Sequence, residues 1–362
     1  MSVEEEAARD ALVERLFNAS LGMAELLTVH LGDKLGLYAA IHHAGSVTFG
    51  ELADAAEIAP RYAREWLEQQ AAAGFLLVDD AAAPADERRF ALPAGHAAPL
   101  LDRESPWSMA PMGTSFAAIA DAMPAVIDAF RSGGPVPWSA YGPEMVRAQG
   151  DFNRPWLVGS FGTEYVPSID DIHERLSSDP PARVLDVACG VGWAGIALAS
   201  AYPKIHVDGI DPDELSIELA SENAAAAGVA DRVRYHARDA ASHELEGQYD
   251  LAIVVESIHD MTYPVPVLAA VRELLAPGGT LIVADERTED AFTAPASEVE
   301  RLFYTYSVLC CLPAAMDQPD SAATGTVMRR DTFEGYAKQA GFADVSVLPI
   351  EHDFLRFYRM DR

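Results

Sequence analysis

Cysteine is almost missing from this sequence: three occur in 362 residues, and two of them, Cys310 and Cys311, are neighbours. Thiols so few and so placed build neither a disulfide framework nor a zinc finger, and no metal site is expected. Positive charge is the second scarcity. Lys and Arg number 26 against 56 Asp and Glu, a formal net charge of −30. Such a balance opposes nucleic acid and anionic lipid, which are both held through Lys and Arg. No uninterrupted apolar run approaches the roughly 18 residues that span a bilayer. The opening MSVEEEAARD is acidic, unlike a secretory signal or a transit peptide, so a cytoplasmic protein is expected. What the chain has in quantity is apolar residues, 50% of the total, which is enough for a large core. Its length favours two domains.

Residues 1–100 read as a small, mostly helical domain. Leu12–Leu37 is long, apolar and periodic, and Thr48 with Glu51 can form a capping box for a helix in TFGELADAAEI. Pro60 starts a second helix, after which LLVDD and RRFAL flank a polar stretch as two strands of a wing would. Helix, helix and β-wing make a winged-helix pattern. A groove-reading helix needs a basic face, yet residues 1–100 hold 16 Asp and Glu against 7 Lys and Arg. Arg61 and Arg64 of the second helix are offset by Glu65 and Glu68. A dimerising module is therefore expected, and a homodimer. Residues 101–165, rich in Pro, Gly, Met and Trp, read as a helical linker whose Trp138, Tyr141, Trp156 and Tyr165 could line an apolar pocket.

From about residue 180 strands and helices alternate: RVLDVA, HVDGID, RVRYHA, YDLAIVVE and TLIVADE, then a closing hairpin of DVSVLPI and FLRFYRM. This is an α/β, doubly wound, Rossmann-like sheet of seven strands with an antiparallel last strand. Gly190, Gly192 and Gly195 satisfy G-x-G-x-x-G, the pattern that seats a pyrophosphate on a helix N-terminus. Asp186 ends the strand just before them, with no Lys or Arg nearby. A carboxylate there repels pyrophosphate and favours a cationic ligand, such as an adenosyl cofactor bearing a sulfonium and a free ammonium.

Ligands of such sheets sit beyond the carboxyl ends of the strands. Asp186, Asp211, Asp239 and Glu256 fall there in succession, separated by 25, 28 and 17 residues. Asp186 with the backbone of Cys189 and Gly190 would take the ammonium, and Asp211 the ribose hydroxyls. Asp239 with the amide of Ala240 would read the adenine edge, and Glu256 begins a loop facing the reacting methyl. Each acid could instead cap a helix.

With VLDVACGVG, GIDPD, ARDA, ESIHDM and LLAPGGTLIVAD in place, the sequence resembles the class I S-adenosylmethionine-dependent methyltransferases. Within them it is most similar to the small-molecule O-methyltransferases with an N-terminal winged-helix dimerisation domain. The resemblance covers nearly the whole chain. It implies that residues 166–362 bind S-adenosylmethionine and that the acceptor is a small, rather apolar metabolite. In plant-type members a His-Asp-Trp triplet follows the fourth strand, and its histidine deprotonates the acceptor hydroxyl. Here the triplet is His259, Asp260 and Met261, so His259 is the implied base and the tryptophan is absent. Methylation at carbon, nitrogen or carboxylate stays open, as does a transcriptional regulator with a ligand-sensing sheet domain.

An imidazole suits proton removal because its ordinary pKa lies near neutral pH. The insert from Ser297 to Met328 should cover the site, with Phe303, Tyr304, Tyr306 and Met316 as apolar lining. Cys310 and Cys311 read as packing thiols rather than nucleophiles, since nothing basic adjoins them to form a thiolate. His352, at the hairpin turn, is expected to be exposed.

Overall fold

A computed structural model describes residues 1–242 and 247–362. The chain forms two compact units, Met1–Ala118 and Ile119–Arg362, and the division falls within the helix Ala110–Ser132. That helix is long and apolar enough to cross a bilayer, but half of its apolar window is buried within the protein, as in a core helix.

The first unit begins with the 32-residue helix Val3–Lys34, followed by Leu37–Ala44, Phe49–Ala55 and Pro60–Ala72. Thr48 caps the third of these. Its hydroxyl accepts from the Glu51 N–H at 3.3 Å, and the Glu51 carboxylate accepts from the Thr48 N–H at 2.8 Å. Two short antiparallel strands, β1 (Leu77–Val78) and β2 (Phe90–Ala91), form the wing. Leu37, Tyr38, Ile41, Leu52, Trp66 and Leu67 make the core. Buried among them, Gln70 accepts from the Tyr38 hydroxyl and donates to Thr28 Oγ1 at 3.0 Å. The amino-terminal half of the long helix is different: Leu12, Val13, Leu16, Phe17 and Leu21 all lie exposed. On Pro60–Ala72, Arg61 pairs with Glu65, and Glu68 takes both Arg64 and Arg88.

The second unit is built on β3 (Arg183–Val187), β4 (His206–Asp211), β5 (Val233–Ala237), β6 (Tyr249–Val255), β7 (Leu275–Glu286), β8 (Ser346–Val347) and β9 (Leu355–Asp361). Among the described residues they form one sheet in the order β5-β4-β3-β6-β7-β9-β8. The strands from β5 to β7 run parallel, while β9 is antiparallel to both β7 and β8. Both faces are covered, which is why the parallel strands read as near-continuous apolar runs. Val184, Leu198, Ile253 and Phe357 belong to one face's core, and Leu185, Val254, Leu268 and Tyr358 to the other's. The Ala-Pro-Gly-Gly segment does not precede the fifth parallel strand but interrupts it. Tyr249 faces Leu275, and the register then jumps so that Leu251 faces Thr280.

The order in which strands are added reverses between β3 and β6, which are parallel and adjacent in the sheet but not consecutive in sequence. Val187 lies opposite Ile210 on one side and Val254 on the other, and Val255 opposite Ala284. The acids at the carboxyl ends of β3, β4, β6 and β7 are thereby gathered along one rim, at the switch point where open α/β sheets bind ligands.

Candidate functional site

Beyond β3 the backbone enters the left-handed region at Ala188 and Gly190, with φ of 52° and 51°, and at Gly192, with φ of 85°. At Gly192 a side chain is excluded twice. The backbone conformation disfavours it, and an added Cβ would lie 2.5 Å from the Tyr235 hydroxyl, which donates to the Gly192 carbonyl at 2.7 Å. At Gly190, by contrast, the space beside the backbone is open. The helix Trp193–Ala201 starts here, and Asp186 Oδ2 accepts from its Gly195 N–H at 2.8 Å. The helix pole that would seat a pyrophosphate is thus already satisfied by a carboxylate. Burial pushes the Asp186 carboxyl up to about 7, against the lowering effect of the Gly195 bond.

Asp211, at the end of β4, accepts from the Gly190 N–H and the Asp213 N–H, each at 2.9 Å. It does not cap the next helix, because Asp213 does so by accepting from the Ser216 N–H at 2.9 Å. Burial raises the Asp211 pKa although both backbone bonds oppose this. Asp239 lies exposed two residues past β5, where it accepts from the Ala241 N–H at 2.8 Å and caps the short turn Ala240–Ser242. The chain next to it, 243–246, lies outside the described residues.

The rim after β6 and β7 is far denser in charge. Glu256 holds a left-handed backbone, φ 48°, and its Oε2 accepts from Asn153 Nδ2 at 2.8 Å and Gln149 Nε2 at 3.2 Å. Burial, with Asp285 and Asp260 adding to it, brings its pKa to about 7. His259 is buried, with Nδ1 at 2.8 Å from Asp285 Oδ1 and 2.9 Å from Glu286 Oε2. Asp285 is itself fixed by the N–H groups of Ile258, at 3.2 Å, and Glu286, at 3.0 Å. The other ring nitrogen, Nε2, lies 3.4 Å from Asp260 Oδ1. Burial opposes the imidazolium, but Asp260, Glu286 and Asp285 together outweigh it and raise the His259 pKa well above its ordinary value. Asp285 stays ionised beside the ring, whereas burial drives Glu286 and Asp260 towards their protonated forms. Asp260 does not cap the helix Pro264–Leu274, whose first turn has no side-chain cap.

Residues 178–326 match a family described as a methyltransferase domain, and residues 23–103 match one described as an Rv2258c-like winged helix-turn-helix domain. The chain thus carries a methyltransferase domain and, before it, a winged helix-turn-helix domain. Human N-acetylserotonin methyltransferase, solved with S-adenosylmethionine, superposes with a TM-score of 0.69 at 15% identity, covering 97% of each chain. Mitomycin 7-O-methyltransferase gives 0.68 at 19% identity and 99% coverage of each. In sequence, an O-methyltransferase of Aspergillus nomiae is 32% identical over 116 residues, which are 32% of this chain and 51% of that protein. The chain thus spans about half the length of that curated relative.

The aromatic residues named from the sequence take separate positions. Trp138 packs with Val146, Val191 and Leu219 on the flank of the glycine loop. Tyr141 is buried and donates to the Leu309 carbonyl at 2.8 Å, tying its loop to the insert. Tyr165 joins Trp156, His352 and Phe357 in an aromatic cluster on the sheet face, where packing accounts for it. Tyr304 accepts from Arg329 Nη2 at 3.0 Å, next to the buried Arg329–Glu300 ion pair. Phe303 is buried, while Tyr306 and Met316 are half-buried.

Two expectations need correction. His352 is half-buried, and its Nδ1 accepts from the N–H groups of Phe354 and Leu355 at 3.2 and 3.1 Å, which organises the turn. Cys311 does have a basic neighbour: its sulfur and the ligating atoms of His259 and Asp260 lie within 4.8 Å of one another. A hydrogen bond to Cys310 and burial still hold its thiol pKa well above the usual range. Gln149, Asn153 and Glu286 carried no signal in the sequence, since nothing but the fold brings them to Glu256 and His259.

Proposed function

We propose that the chain moves the methyl group of S-adenosylmethionine to a hydroxyl of a small, rather apolar molecule, with His259 as general base. The observation that carries this reading is the clamped ring. Asp285 fixes the Nδ1–H of His259, which leaves Nε2 as the one ring nitrogen able to take a proton from an acceptor.

The rim suits such a cofactor. Asp186 is buried and Asp211 half-buried, both carboxyls have a raised pKa, and no cation is among the groups that shift either one. An ammonium and a ribose would compensate them, with Asp186 and the backbone of Cys189 and Gly190 on the former and Asp211 on the latter. Asp239 and Ala240 flank the place for an adenine, and Glu256 stands between cofactor and acceptor. When bound, the cofactor supplies an electrophilic methyl carbon on sulfur. The protein's part is to hold the acceptor in line, keep water out and remove the proton. Trp138, Tyr141, Phe303, Tyr306 and Met316 supply the apolar wall. Because the His259 pKa is raised, its base form grows as pH rises, so turnover should climb through the alkaline side of neutrality.

The same reading makes the chain a homodimer through its first unit. A second copy would cover the exposed Leu12, Val13, Leu16, Phe17 and Leu21, which form too large an apolar strip for an isolated helix in water. DNA is disfavoured, since the arginines of Pro60–Ala72 are already paired with glutamates.

Calorimetry with S-adenosylhomocysteine and with NAD tests the cofactor, and mass spectrometry of a panel of phenols incubated with S-adenosylmethionine tests the reaction. Binding of the first ligand and a 14-dalton gain on a phenol (one methyl for one hydrogen, about 14 by mass) are expected. Uptake of NAD alone would overturn the reading.

A further inference from the structure

We propose that His259 Nε2, the Asp260 carboxylate and the Cys311 sulfur form a binding site for a single zinc-like divalent cation. The inference goes beyond methyl transfer and does not depend on it.

Spacing is the first argument. Ligands around tetrahedral zinc, at about 2.0–2.3 Å from the ion, stand about 3.3–3.7 Å apart. Nε2 and Asp260 Oδ1 are 3.4 Å apart, and the sulfur lies within 4.8 Å of both. The opposite side of the ring is ruled out by the same measure. Nδ1 is 2.8 and 2.9 Å from its two carboxylates, separations too short for an ion between them.

Satisfaction of polar atoms is the second. Asp260 Oδ1 is enclosed, yet it has no hydrogen-bond partner of good geometry. A buried acceptor left this way costs free energy, and a cation would recover it.

The third is the support behind the ligands. The carboxylate–histidine–metal arrangement, in which the remote ring nitrogen donates to an acid, is already present in Asp285. Cys311 is presented at the end of a π-helical turn, Ser307–Cys311, and the backbone of His259 is held by the Gly325 N–H at 3.1 Å. A set of one nitrogen, one oxygen and one sulfur selects zinc or cobalt over magnesium and calcium, which prefer oxygen alone. Three protein ligands leave a fourth position open. A bound ion would also occupy the lone pair that proton removal needs, so the metal-loaded protein should be the slower one.

The test is a titration of the full chain with Co2+, followed by absorbance. One equivalent should bind and produce a thiolate-to-cobalt charge-transfer band in the near ultraviolet, which Zn2+ then displaces. Cys311→Ser should abolish that band, Cys310→Ser should retain it, and Asp260→Asn should keep the band while weakening binding at least tenfold. Absence of the band from the unaltered protein overturns the proposal before any variant is made. So does a band that survives Cys311→Ser or disappears with Cys310→Ser. The readout is independent of methyl transfer, so a protein that binds cobalt but, freed of metal, methylates nothing would leave this inference standing and refute the other.

Discussion

The two halves of the rim solve opposite electrostatic problems. At the ends of β3 and β4 the carboxylates bond no other side chain, and each accepts from backbone N–H groups of the glycine loop or the adjoining turn. At the ends of β6 and β7, four acids crowd around one imidazole, with the nearest contacts from side chain to side chain. The first arrangement is rigid and has charge to offer a ligand. The second shares protons internally and can change its charge state. The difference separates holding a cofactor from doing chemistry on an acceptor, and it can be broken experimentally.

The largest effect should come from His259→Ala. Turnover should fall by about 10²–10⁴-fold while S-adenosylhomocysteine affinity, read by calorimetry, stays nearly constant. A parallel loss of affinity would show that the two halves act as one. Next comes Asp211→Ala, which should weaken cofactor binding by about 2–3 kcal/mol with little change in turnover at saturation. Asp285→Asn is subtler. It removes a charge that raises the His259 pKa, so the rising limb of kcat/KM should move towards lower pH, whereas a merely structural role would leave its position unchanged.

The smallest effect concerns stability. Asp186 and Glu256 have folded-state pKa values of about 7, above those of an unfolded chain, so the folded form keeps protons that the unfolded form loses. The stability they allow is complete below about pH 4 and is lost as pH rises through about 7, and the raised His259 acts in the same direction. Melting temperature should decline between about pH 5 and about pH 8, and S-adenosylhomocysteine should reduce the decline by offsetting Asp186. A flat profile in the free protein would refute the assignment of buried, uncompensated acids.

The same division explains what could be read from sequence. The glycine loop, the acids after each parallel strand, the capping box at Thr48 and the winged-helix pattern all rest on spacings of a few residues, which local chemistry dictates. The parallel strands and the closing hairpin followed from the alternation of apolar runs and helices, but their order in the sheet did not. The acceptor side did not follow. Asp285, Glu286, Cys311 and Asn153 meet around Glu256 and His259 from segments up to about 160 residues apart, and only packing decides which of them arrive. Tyr165 shows the converse: aromatic residues in a Pro- and Gly-rich stretch suit a pocket and a core equally, and packing drew this one into an aromatic cluster.

The π-helical turn at Ser307–Cys311 has a further consequence. Such a turn amounts to one surplus residue threaded into an ordinary helix. Deleting that residue would tighten the spiral and rotate everything after it by about 100°, swinging the sulfur off the imidazole without changing a single side chain. The reach of that thiol is therefore a matter of count rather than kind.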